Sequence, residues 1–216
     1  VQAALIATPA CLMAIMLTRK PRNTLLLQAP SFWSTVPAGA ALAFLLHPAL
    51  MCLATVIREV YPLSEETLRA LAPLEGLLRE ATLPELILLV AVTPAICEEL
   101  AFRGFILSGL RRMGHKWTAI ALCSVLFGVA HGLLQQSLAA TVVGLVIGYI
   151  AVKTNSLLPA MAYHLVHNSL GVLLGRVTIE TLQSWPILDA MLEIGQDGGV
   201  EYSWNAMIIA GLRGML

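Results

Sequence analysis

Long apolar stretches separated by short polar clusters set the pattern of this chain. No Asp, Glu, Lys or Arg occurs from Val1 to Thr18, from Asn23 to Ile57 or from Trp117 to Val152. A helix rises about 1.5 Å per residue, so roughly 20 apolar residues cross the ~30 Å hydrocarbon of a bilayer. The pattern predicts helices over about 1–18, 32–60, 84–110, 117–134, 138–152 and 157–176, the fourth and fifth joined by a short polar turn at 135–137. Pro159 falls in the first turn of the last helix, where no hydrogen bond is lost through its missing amide.

Between Tyr61 and Glu85 the character changes, and charges interleave with Leu63, Leu68, Leu71, Leu74, Leu77 and Leu78 at helical spacing. This predicts one or two short amphipathic helices at the membrane interface, interrupted by Pro73, with a solvated loop as the alternative. Residues 178–193 are amphipathic at best. The expected fold is all-α, a polytopic transmembrane helical bundle with interfacial amphipathic helices. It divides into N-terminal transmembrane helices (1–60), an interfacial segment (61–83), a core (84–176) and a C-terminal segment (177–216). A first residue of Val and an apolar end from Trp204 to Leu216 make both ends look cut from a longer chain.

Composition agrees with the pattern. Of 216 residues 58% are apolar and 12% charged, about half the charged fraction of an ordinary soluble domain, which excludes a water-soluble monomer. The 13 basic and 13 acidic residues cancel, so no net field points to nucleic acid. Basic residues favour cytoplasmic loops: Arg19, Lys20, Arg22, Arg111, Arg112, Lys116 and Lys153 fall on one side, the segment after Tyr61 on the other, with only Arg176 against the rule. Cys11, Cys52, Cys97 and Cys123 lie in apolar runs without metal-type spacing and read as core residues.

One span breaks the apolar rule, because Glu98, Glu99 and Arg103 fall near its middle. Each ionisable group at a helix centre costs roughly 2.5 to 3.5 kcal/mol, so three of them imply a partner or a function. Glu99 and Arg103, four apart, share a helical face and form an ion pair, whereas Glu98 points about 100° away and has no partner on its own helix. A carboxylate desolvated in this way is basic enough to take a proton from water near neutral pH. Elsewhere, Phe127 precedes His131 inside an apolar helix, and His164 stacks over Asn168 with His167 bordering their face. Such donors suit an oxyanion, a metal or a neighbouring carbonyl. Counting residues puts Glu98 and His164 at one depth and His131 on the order of 10 Å nearer the outside.

The ordered set Glu98-Glu99-x-x-x-Arg103, Phe127-x-x-x-His131 and His164-x-x-x-Asn168 resembles the CAAX prenyl endopeptidase and bacteriocin-processing family of intramembrane proteases, also called Abi or CPBP, over about 84–176. That resemblance implies that Glu98 activates a water, that His131 holds and polarises it, and that His164 and Asn168 supply an oxyanion hole. Glu99, Arg103, Phe127 and His167 would support them. It implies a hydrolase without a cofactor, acting on a membrane-associated protein or peptide in a bacterial cell membrane. A divalent metal such as zinc is the competing option, kept open by His167, although no His-Glu-x-x-His helix is present. A non-catalytic immunity or scaffold module and a proton-coupled carrier could use the same buried polar groups.

Overall fold

The computed structural model describes residues 2–112, 114–194 and 200–203, and most of them are helical. A π-helical turn, Ala3–Ala7, runs into Thr8–Leu17 (together α1), and a single turn, Pro21–Thr24 (α2), follows. Then come Thr35–Val60 (α3) and Glu65–Glu80 (α4). Five abutting segments, Leu83–Leu86, Ile87–Val92, Thr93–Glu98, Glu99–Ile106 and Leu107–Arg111, join through helical backbone into one helix over 83–111 (α5). Lys116–Val129 (α6), Leu134–Thr154 (α7) and Leu157–Leu174 (α8) complete the bundle. Two short helices, Ile179–Ser184 (α9) and Pro186–Met191 (α10), lead to a hairpin of Leu192–Ile194 (β1) against Val200–Tyr202 (β2).

Among the described residues three helices, α3, α7 and α8, are by length and composition apolar enough to cross a membrane. Their packing inverts the pattern of a water-soluble protein. Large side chains point outward, with Leu5, Phe44, Leu45 and Val129 all more than 60% exposed, while Ala14, Ala43, Ala91, Ala151 and Ala160 are wholly buried. Lipid tails are as apolar as leucine, so helices associate in a bilayer through close contact at small residues rather than by hiding large ones. A Cβ on Gly39 of α3 would sit 2.5 Å from the Pro159 carbonyl oxygen of α8. One on Gly128 of α6 would collide with Thr141 and the Ser137 carbonyl of α7. These two pairs, α3 with α8 and α6 with α7, are the most intimate in the bundle, and α8 also lies along α5.

Several boundaries differ from the expected ones. Pro73 does not interrupt the interfacial segment, which is the single helix α4, capped by Ser64 accepting from the Thr67 amide at 3.2 Å. Pro73 is exposed, so the Arg69 carbonyl it leaves free can be solvated. Residues 135–137 are no turn but the first turn of α7. The turn comes earlier, because Gly132 adopts a φ of +80° that glycine enters without a Cβ clash. His131 therefore lies just past the end of α6 rather than inside it. The β1–β2 hairpin is a small exception to the all-α expectation, and Trp204–Leu216 lies outside the described residues.

Candidate active site

The site is assembled on α5, whose course is set by a proline. In a regular helix the amide of residue 94 would bond the Val90 carbonyl, and Pro94 has none. The helix opens into wider π-helical turns over Ile87–Val92 and again over Glu99–Ile106, a distortion that recurs at functional sites. The Thr93 hydroxyl donates to the Leu88 carbonyl at 2.7 Å, and Asn168 Nδ2 of α8 donates to Val90 at 3.0 Å. The Asn168 amide thus supplies a donor to the carbonyl that the proline leaves free, while the Thr93 hydroxyl adds a second donor to the Leu88 carbonyl, which already accepts the Thr93 amide.

Glu99 and Arg103 form the expected pair, with no exposure of either side chain and 2.9 Å between Nη1 and Oε1. Arg103 Nη2 also donates to the Gly144 carbonyl of α7 at 3.3 Å, and its guanidinium lies 4.2 Å from the Phe127 ring centre. His164 Nδ1 reaches the same Glu99 oxygen at 2.8 Å. Four helices are therefore tied together through one carboxylate and its cation. A buried charge of this kind persists only when paired and hydrogen-bonded.

Glu98 has different surroundings. One oxygen accepts from Gln2 Nε2 of α1 at 3.2 Å. The other, Oε2, is buried with no hydrogen-bond partner and lies 3.9 Å from His164 Nε2, too far for a direct bond. With Nδ1–H donated to Glu99, His164 turns its second nitrogen toward Glu98, an assignment that follows from the hydrogen-bond pattern. His131 is oriented by its own backbone. Its amide bonds the Gly128 carbonyl rather than that of Phe127, and its Nδ1 takes the orphaned Phe127 carbonyl at 2.8 Å. The Phe127 ring stands edge-on between the two histidines, 4.9 Å from His131 and 6.0 Å from His164. Both imidazoles are within electrostatic reach of Glu98. The expected depth mismatch shrinks: Glu98 is 13 residues from the end of α5 and His131 15 from the start of α6, ~20 and ~22 Å from the end of the bundle where α5 finishes and α6 begins.

Two candidates have partners outside the Glu98 cluster. Asn168 is one turn beyond His164 and bonds Val90, although its amide nitrogen carries a second N–H. His167 is turned toward α3, its ring 5.0 Å from His47 and stacked 6.1 Å from Tyr163. His47 in turn contacts the Tyr202 hydroxyl at 3.0 Å through Nδ1. Neither His47 nor Gln2 was singled out from the sequence. His47 was visible there as a lone histidine in an apolar run, whereas nothing local marked Gln2. Cys97 and Cys123 are buried and unoxidised, the latter donating to the Phe102 carbonyl at 3.2 Å. Among the described residues no three His, Cys, Asp or Glu side chains converge as a metal-ligand set.

Residues 80–170 match the family described as Rce1-like, type II CAAX prenyl endopeptidase Rce1-like. Comparison with curated proteins and with solved structures returns no match. The matched stretch, which contains Glu98, Glu99, Arg103, Phe127, His131, His164, His167 and Asn168, is similar to the CAAX-type protease family.

Proposed function

We propose that the chain is an intramembrane endopeptidase that hydrolyses a peptide bond of a membrane-associated protein or peptide with a water activated by Glu98. The observation carrying this reading is the Glu98 Oε2 atom, buried, without a hydrogen-bond partner and 3.9 Å from an imidazole nitrogen. A water about 2.8 Å from each atom could contact both. Its two protons have two acceptors, Glu98 Oε2 and His131 Nε2, the latter a lone pair because Nδ1–H is spent on Phe127.

As the water oxygen attacks the scissile carbonyl carbon, a C–O bond forms, one proton passes to Glu98 and the carbonyl electron pair moves onto its oxygen. Protonated His164 and the second N–H of Asn168 are the donors for that oxyanion. A proton on His164 also balances the second carboxylate, since Arg103 offsets only one of the two. Collapse of the tetrahedral species breaks the C–N bond, and Glu98 returns its proton to the leaving amine. In this reading α1, α3, α5, α6, α7 and α8 cross a bacterial cell membrane, and 84–176 is the catalytic core.

The test uses the protein in vesicles with a membrane-tethered peptide. Glu98→Gln and His131→Ala should each lower cleavage by about 10²- to 10⁴-fold at unchanged melting temperature, with Cys97→Ser fully active and a chelator without effect. Loss of stability with intact cleavage in Glu98→Gln would instead make the cluster a structural tie, and chelator sensitivity would point to a metal.

A further inference from the structure

The chain segregates its charge by position. No Asp or Glu occurs from position 1 to 58 or from 100 to 179, whereas Arg19, Lys20, Arg22, Arg111, Arg112, Lys116 and Lys153 all do. Folding brings four of these cations together. A cavity of about 700 Å³ is lined by Arg19 and Lys20 after α1, by Ser108, Arg111 and Arg112 at the end of α5, and by Asn155 between α7 and α8. No carboxylate lines it, and among the described residues no acid pairs with any of the four cations. Four like charges gathered without an acid concentrate positive potential in the cavity and attract an anion into it.

The cavity wall is built rather than incidental. Leu26, which lines it, is 3% exposed and adopts a left-handed φ of 52°, a conformation that persists only where surroundings impose it. The surroundings are the Leu157 amide, which donates to the Leu26 carbonyl at 3.0 Å, and the Ser156 hydroxyl, which donates to the Gln28 carbonyl at 2.8 Å. Leu25 meanwhile fills the space beside Gly104 of α5.

The same end of the bundle also marks a lipid level. Trp117 and Tyr149 stack in parallel at 5.8 Å at the same end of the bundle, with Lys116 over the Trp117 ring, the arrangement of an aromatic belt at headgroup depth. Leu17, at the cavity wall, and the neighbouring Met16 are 64% and 77% exposed, an apolar surface suited to acyl chains.

We infer that this cavity binds the phosphate of an anionic phospholipid headgroup, using Arg19, Lys20, Arg111 and Arg112 as its cations and Ser108 and Asn155 as neutral donors. The guanidinium forks of the arginines match phosphate oxygens, and the adjoining apolar face favours a lipid over free phosphate. The inference is independent of the proposed hydrolysis.

The test is titration of the full delipidated chain in maltoside with dioctanoyl phosphatidylglycerol, dioctanoyl phosphatidylcholine or inorganic phosphate, following the lipid-bound mass and the melting temperature. Phosphatidylglycerol should bind at one site and raise the melting temperature. Arg111→Gln and the exposed-site variant Arg19→Gln should each weaken it about five-fold, ~1 kcal/mol per cation, and Lys153→Gln, outside the cavity, should not. Equal binding of phosphatidylcholine, equal potency of inorganic phosphate, or an equal effect of Lys153→Gln would overturn the assignment.

Discussion

Adjacent positions on α5 carry two carboxylates with unlike surroundings. Glu99 is held through Oε1 by a full cation, Arg103, and by His164, whereas Glu98 is bonded only by the neutral Gln2 amide; the second oxygen of each carboxylate is buried without a hydrogen bond. Removing one member of a fully buried pair strands the other charge, which costs about 3–5 kcal/mol. Arg103→Met should therefore lower unfolding stability in detergent by that order, while the isosteric Glu98→Gln changes it by less than about 1 kcal/mol. Equal losses would show that both acids are structural. The Glu99–Arg103 contact was legible from their spacing alone. The attachment of His164 to Glu99 was not, because it joins positions 65 residues apart.

At the scale of the element, the shape of α5 depends on Pro94 and on its neighbour across the interface. Asn168 and Pro94 should be energetically coupled, since Asn168 satisfies a carbonyl that only the proline leaves free. Asn168→Leu is expected to cost about 0.5–1.5 kcal/mol in the native chain and much less in a Pro94→Ala background, read as a double-mutant cycle. Additive effects would sever that link. The α6–α7 contact yields a second expectation. Gly128→Val forces a side chain into the Ser137 carbonyl and Thr141, so a loss of about 1–3 kcal/mol by overpacking should appear in the same assay. Helix positions were readable from apolar run length, but π-helical turns and the Gly132 turn were not, because they answer to backbone hydrogen bonds rather than to hydrophobicity.

For the whole molecule, basic clusters after α1, after α5 and after α7 gather at one end, while α4 and Arg176 lie at the other. Arg176 donates there to the carbonyls of Leu78, Arg79 and Ala81, stopping the C-terminus of α4. This explains the one basic residue that fitted no cytoplasmic loop. In a cysteine-free background, His115→Cys and Asn155→Cys should react with an impermeant maleimide from one side of oriented vesicles, and Gly76→Cys and Thr178→Cys from the other. Labelling of all four from one side would contradict a membrane-crossing bundle.

Apolar run length alone determined that this chain is helical and built for lipid, because a backbone without water must bond to itself and needs a fixed number of residues to cross a given thickness. Motif spacing singled out the candidate side chains, since residues four apart on a helix share a face whatever surrounds them. Which nitrogen of His164 meets which carboxylate, that Asn168 serves Val90, that His167 turns to His47 and that Gln2 reaches Glu98 were decided by packing between helices. Those contacts depend on tilt, on close approach at glycines and on where a proline opens the backbone, none of which a local pattern encodes.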